Sequence, residues 1–153
     1  MIIEGKFSVN APIQKLWDTL FGDVKGVAAC MPGVQLEKAI DDKTFALVMK
    51  QKVGPFNMTM KGPVVLTTVQ APTHLDMDGE FVDVMKLGQL KTKINLDLKE
   101  TGSEVELAYK VDVNVSGKMS ALGVADRFIK TKGVVMEKEF VDNLKALIEK
   151  GMA

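Results

Sequence analysis

The chain has 153 residues, with 20 Lys plus Arg against 20 Asp plus Glu and one cysteine, a length that fits a single domain over residues 1–153. Balanced charge gives no electrostatic case for nucleic acid or for strong attraction to anionic lipid. The lone Cys30 excludes an internal disulfide, and no apolar run approaches the roughly 20 residues of a membrane span.

Between residues 1 and 115 apolar residues fall on alternate positions in seven segments, the mark of strands with one buried and one wet face. The first carries Ile3, Phe7 and Val9 against Glu4, Lys6 and Ser8. Asn10 then reads as a helix cap with Pro12 in the first turn, and Leu16, Trp17 and Leu20 recur at helical spacing. Gly22 and Gly26 punctuate a second short helix reaching Cys30, and Pro32-Gly33 supplies a turn.

The strand Val34 to Ile40 turns at Asp41-Asp42 into Phe45, Leu47, Met49 and Val53, and Gly54-Pro55 makes the next reversal. Phe56, Met58, Met60, Gly62, Val64, Leu66 and Thr68 share one parity, which predicts a long strand bent near Gly62-Pro63. Beyond Ala71-Pro72, Leu75, Met77, Gly79 and Phe81 alternate with Asp76, Asp78 and Glu80, and a loop near Met85 to Gly88 precedes Ile94, Leu96 and Leu98. Thr101-Gly102-Ser103 turns into Val105, Leu107, Tyr109, Val111, Val113 and Val115, the strongest strand signal, expected inside the sheet. From about Ser120 the period becomes helical, with Ile129, Gly133, Met136, Phe140, Leu144 and Leu147 on one face. The pattern predicts an α+β fold in which a curved seven-stranded antiparallel sheet wraps a long C-terminal helix, with two short helices after strand 1.

A concave sheet around one helix leaves space that side chains or a ligand must fill. Met49, Met58, Met60 and Met77 sit on inward strand parity and Met136 on the inward helix face. Methionine is flexible and polarizable, so such a wall suits an irregular apolar guest, although the same residues also pack ordinary cores. Gly79 and Gly133 leave room at inward positions, and Gln51, Thr68 and Asp83 place polar groups among apolar ones. Buried polar groups need partners, which a guest, an open strand end or the backbone supplies. The expected pocket lining is Trp17, Gln51, Met58, Met60, Met77, Phe81, Tyr109, Met136 and Phe140, although Trp17 reads first as core or rim packing.

Catalytic groups are scarce. His74 follows Ala71-Pro72-Thr73 and reads as a solvated turn residue, while Cys30 lies beside Met31-Pro32 and reads as a small core hydrophobe. There is no CxxC, HExxH, Gly-rich phosphate loop or carboxylate cluster at metal-ligand spacing, so no catalytic residue, metal or intrinsic cofactor is expected.

The ordered landmarks Pro12, Trp17 and Leu20, then Cys30-Met31-Pro32-Gly33, then Gly54-Pro55-Phe56 through Lys61-Gly62, then Val115-Ser116-Gly117, Leu122-Gly123 and Phe140 resemble the CoxG family of carbon monoxide dehydrogenase subunits. That family belongs to the START/polyketide-cyclase (SRPBCC) superfamily, which implies the helix-grip, Bet v 1-like fold. The resemblance implies an accessory role beside a molybdenum-containing carbon monoxide dehydrogenase or related hydroxylase, including peripheral attachment to the membrane. The redox centres are then expected in the other subunits. Longer members continue into a linker and an apolar segment, whereas Gly151-Met152-Ala153 follows the helix directly, so no tail anchor is expected. With no secretory leader visible, a cytoplasmic address is the expectation, to which the resemblance adds peripheral contact with the inner face of the membrane.

Three functions fit these observations. The first is a non-catalytic carrier of a quinone, isoprenoid or lipid. The second is a cyclase or hydrolase using Asp83, Tyr109 or His74 for proton transfer. The third is a protein-interaction module whose interior is filled by its own side chains.

Overall fold

The computed structural model describes residues 1–53, 56–121, 123, 126–127, 130 and 133–150. The seven alternating segments form β1 (Ile2–Val9), β2 (Val34–Ala39), β3 (Thr44–Val53), β4 (Phe56–Gln70), β5 (His74–Asp83), β6 (Gln89–Thr101) and β7 (Glu104–Ser116). All pairings are antiparallel, in the order β1-β7-β6-β5-β4-β3-β2. From β2 to β7 the chain is a meander of consecutive hairpins. β1 joins the far border by pairing with β7, Ile2 opposite Asp112 and Val9 opposite Val105. The strongly alternating β7 therefore lies inside the sheet, as its two-sided pairing demands.

In β4 the departure from regular pairing is wider than the sequence suggests. Pairing to β5 lapses at Gly62 and Pro63, where proline has no N–H to give, and the register then shifts between Leu66 and Thr68. A Cβ on Gly62 would collide with the Glu80 carbonyl, so glycine lets the two backbones meet there. The extra residue at Thr67 reverses parity. Val69 consequently packs inward with Leu75, while Thr68, expected inward, lies opposite Asp76 on the outer face. The Gly54-Pro55 reversal lies outside the described residues.

Two short helices, α1 (Ile13–Gly22) and α2 (Val24–Ala29), follow β1, and α3 (Lys118–Ala121) and α4 (Val134–Lys150) follow β7. Leu16, Trp17 and Leu20 are buried along α1. The helix starts two residues later than an Asn10 cap implies, because Pro12 itself occupies the N-cap and offers no side-chain bond. Asp23 caps α2 by accepting from the Gly26 N–H at 3.0 Å. On α4, Leu144 and the unanticipated Ile148 are fully buried, and Phe140 and Leu147 pack beside them; Ile129 lies outside the described residues.

Among the described residues the interior divides into three clusters. One joins Leu144 and Ile148 of α4 to Val9, Leu16, Cys30, Leu98, Val105 and Leu107, fastening the helix over β1, α1 and α2. Burying each such leucine or isoleucine contributes roughly 1.5–3 kcal/mol. A second gathers Trp17, Phe45, Leu66 and Leu75. The third contains Met58, Met60, Val64 and Phe81.

Candidate functional site

Cross-strand partners share a face of a sheet, so the register builds the inner wall directly. Gln51 stands opposite Met58 and Met49 opposite Met60 on β3 and β4. Met60 faces Asp83 of β5, Phe81 faces Leu90 of β6, and Leu90 faces Val115 of β7. Around the buried Met58, Met60, Val64 and Phe81 pack Leu47, Met49, Met77, Leu87, Leu90 and Val115. Among the described residues this cluster comes entirely from strands and the loop after β5. It is an apolar wall with methionine in four of its ten places.

The polar members of that wall differ in fate. Asp83 is only 1% exposed. Its Oδ2 accepts from the N–H groups of Met85 at 2.8 Å and Leu87 at 3.2 Å, which holds the turn containing Lys86 at φ 57°. Its Oδ1 is buried without a hydrogen-bond partner among the described residues, as is Oγ1 of Thr92, 9% exposed. An orphaned polar atom of this kind costs about 1–3 kcal/mol. Gln51 is satisfied, donating Nε2–H to the Pro32 carbonyl at 2.6 Å and so bracing the turn before β2. Gly79 does not leave a void: a Cβ there would lie 2.8 Å from the Phe81 ring and 2.8 Å from the Thr92 methyl, which already occupy the space.

The remaining expected lining residues lie in other parts of the interior. Trp17 is buried in the Phe45–Leu66–Leu75 cluster and stacks on Phe21 at 6.1 Å with an 11° tilt. Met77 touches both that cluster and the methionine cluster. Tyr109 and Phe140 pack beside the α4 cluster, and the Tyr109 hydroxyl donates to Glu137 Oε1. Met136 is half-buried on α4, one turn before Phe140. The structure therefore brings Met58, Met60, Met77 and Phe81 together with Gln51 alongside, and sets Tyr109 of β7 and Phe140 of α4 beside the Leu144–Ile148 cluster. Sequence parity misses Leu87, which reaches the wall from a loop; Thr92 shares the parity of Ile94, Leu96 and Leu98, and its pairing with Gly79 sets its hydroxyl on the wall.

Three groups weighed for proton transfer are not assembled. Asp83 points to the inner face, Tyr109 is engaged with Glu137, and His74 lies on the outer face between two carboxylates. His74 Nδ1 is 2.6 Å from Asp97 Oδ1 and Nε2 is 2.8 Å from Asp76 Oδ1. The bonds to Asp97 and then Asp76 hold the imidazole above its ordinary pKa. Asn95 and His74 in turn pull the Asp76 carboxyl down. Cys30 is buried and donates Sγ–H to the Gly26 carbonyl at 3.2 Å. Burial, and then the Asp23 charge, push its pKa up, the reverse of what a nucleophilic thiol needs. A separate surface depression of about 290 Å³ lies among Met31, Gly33, Val34, Gln35, Val48 and Lys50, away from the methionine wall. Among the described residues no group of three or more His, Cys, Asp or Glu could hold a metal ion.

The family model that describes the CoxG subunits of carbon monoxide dehydrogenase matches residues 5–148. The chain belongs to the CoxG family. No curated protein matches it. Among solved structures it is similar to a conserved protein from Geobacillus kaustophilus, with TM-score 0.81 and 16% identity over 98% of this chain and 96% of that one. A protein from Arthrobacter aurescens aligns with TM-score 0.66 and 15% identity over 97% and 86%. The Zhui aromatase/cyclase from Streptomyces aligns with TM-score 0.61 and 10% identity over 100% and 96%. These likenesses establish the helix-grip fold for this CoxG-family chain, with its curved antiparallel sheet and C-terminal helix.

Proposed function

We propose that this CoxG-family protein is a non-catalytic accessory protein that holds an apolar molecule, a quinone, isoprenoid or lipid, against its methionine wall. One observation carries the reading: Met58, Met60 and Phe81 of two adjacent strands share a buried apolar cluster beside polar atoms that nothing described satisfies. Flexible thioethers adapt to an irregular guest, and a few polar groups orient it. The family's name supports service to a carbon monoxide dehydrogenase; in this proposal the enzyme is a molybdenum-containing one or a related hydroxylase, at which the carried molecule is exchanged. Exchange with the bilayer is by peripheral contact at its inner face; no described helix is long and apolar enough to cross a membrane. The cyclase-like alternative draws on the fold of the aromatase/cyclase neighbour, but separation of Asp83 from His74 across the sheet gives it no acid–base pair.

Native mass spectrometry of the purified protein, followed by organic extraction, tests the carrier reading. A lipid-like adduct, or uptake of added quinone at one equivalent, is the expected result. Protein that is empty and takes up neither quinone nor isoprenoid would sink it. Co-purification with molybdenum hydroxylase subunits tests the partnership separately.

A further inference from the structure

Asp83 closes β5 on the inner face, beside Met60 of β4 and two residues after Phe81. The turn that follows uses only one of its oxygens, since both backbone donors, Met85 N–H and Leu87 N–H, converge on Oδ2. Serine or asparagine would serve that turn as well. The second oxygen is surplus to the loop, yet it is held beside Met60 at 1% residue exposure without a donor among the described residues. A carboxylate oxygen can only accept, so what completes it must carry a donor hydrogen. Thr92 Oγ1, the other orphan, lies on the same face beyond the Phe81–Leu90 pair, so both polar points mark one apolar wall.

We infer that Asp83 Oδ1 is the polar anchor of this wall and accepts a hydrogen bond from a hydroxyl of the bound molecule. The site thus takes apolar alcohols, phenols or hydroquinones in preference to the matching ethers or quinones, whose oxygens only accept. This rests on the apolar-ligand reading above and adds to it the chemistry of the head group. A reduced, hydroxyl-bearing guest is then held more firmly than its oxidised form.

The test compares two probes that differ only by O-methylation, 4-octylphenol and its methyl ether, binding to the full-length protein by titration calorimetry or by fluorescence of Trp17, the single tryptophan. Wild-type protein is expected to bind the phenol about tenfold more tightly, the scale of a hydrogen bond to a charged acceptor. Asp83→Asn keeps an acceptor for the turn and presents N–H to the guest, so the preference is expected to vanish or reverse. Equal wild-type affinities, as a resident water on Oδ1 would produce, overturn the anchor and leave the apolar site standing. A phenol preference that survives in D83N overturns it equally. Failure of both probes to bind removes the apolar site and the anchor together. Should D83N not fold, the wild-type ratio decides alone.

Discussion

The Tyr109 hydroxyl on β7 donates to the carboxylate of Glu137 in the first turn of α4, and Gly5 on β1 leaves the space through which the phenol passes. The far half of α4 is fixed by Leu144, Ile148 and the bond from Asn143 Nδ2 to the Cys30 carbonyl at 2.9 Å. Tyr109 thus ties down the half of the helix that its buried leucine and isoleucine do not. Tyr109→Phe is expected to cost about 1 kcal/mol of stability and to speed amide exchange in the first turns of α4 rather than the last. Gly5→Ala puts a methyl where the phenol lies and is expected to cost about 1–3 kcal/mol. The two effects should be strongly non-additive in a double-mutant cycle read by chemical denaturation, and additive losses would show that the contact is not shared.

His74 predicts a pH dependence with a definite sign. Its folded pKa is raised above the ordinary value of 6.5 by Asp97 and Asp76, so its contribution is complete below that value and fades as pH rises through the folded pKa. Asp76 is shifted down, so its share is present above the ordinary carboxylate value of 3.8 and fades as pH falls through its lowered pKa. The outer-face group is therefore strongest between about pH 4 and 6.5, and its size is limited by solvent screening. Melting temperature followed from about pH 5 to 9 should fall more in wild type than in His74→Gln. Parallel curves for the two proteins would refute the assignment.

Cys30 should behave as an inert core thiol. With burial and Asp23 both opposing ionisation, iodoacetamide at about pH 8 is expected to label native protein far more slowly than denatured protein. Cys30→Ala is expected to lower stability by about 1 kcal/mol through lost packing and to leave ligand uptake unchanged. Rapid native alkylation, monitored by intact mass, would contradict this environment.

Much of this architecture is readable from periodicity, because one buried face imposes alternation on every strand from Ile3 to Val115. Met58, Met60, Met77 and Phe81 fall where parity puts them, and they meet because consecutive hairpins keep neighbours adjacent. Thr68 escapes that reading through a single unpaired residue, Thr67, since a bulge shifts everything after it by one and leaves no mark in composition. Gly79 misleads for a different reason. An absent side chain looks like space in a sequence, but Phe81 and Thr92 lean into it from positions that only the three-dimensional register reveals. Gln51 and Asp83 look alike in parity, and only hydrogen-bond accounting separates the one that braces a turn from the one with an unused oxygen.

The placement of β1 has a consequence for how the molecule is made. Strands β2 to β7 find their neighbours within a hairpin's length, whereas Ile2 must wait for Asp112 to be synthesised before its own partner exists. Closing so long a loop is entropically slow, so the N-terminal border is expected to be sewn on last, together with the docking of α4. Pulsed hydrogen exchange during refolding should then protect β4 and β5 before β1, and simultaneous protection would rule out this order.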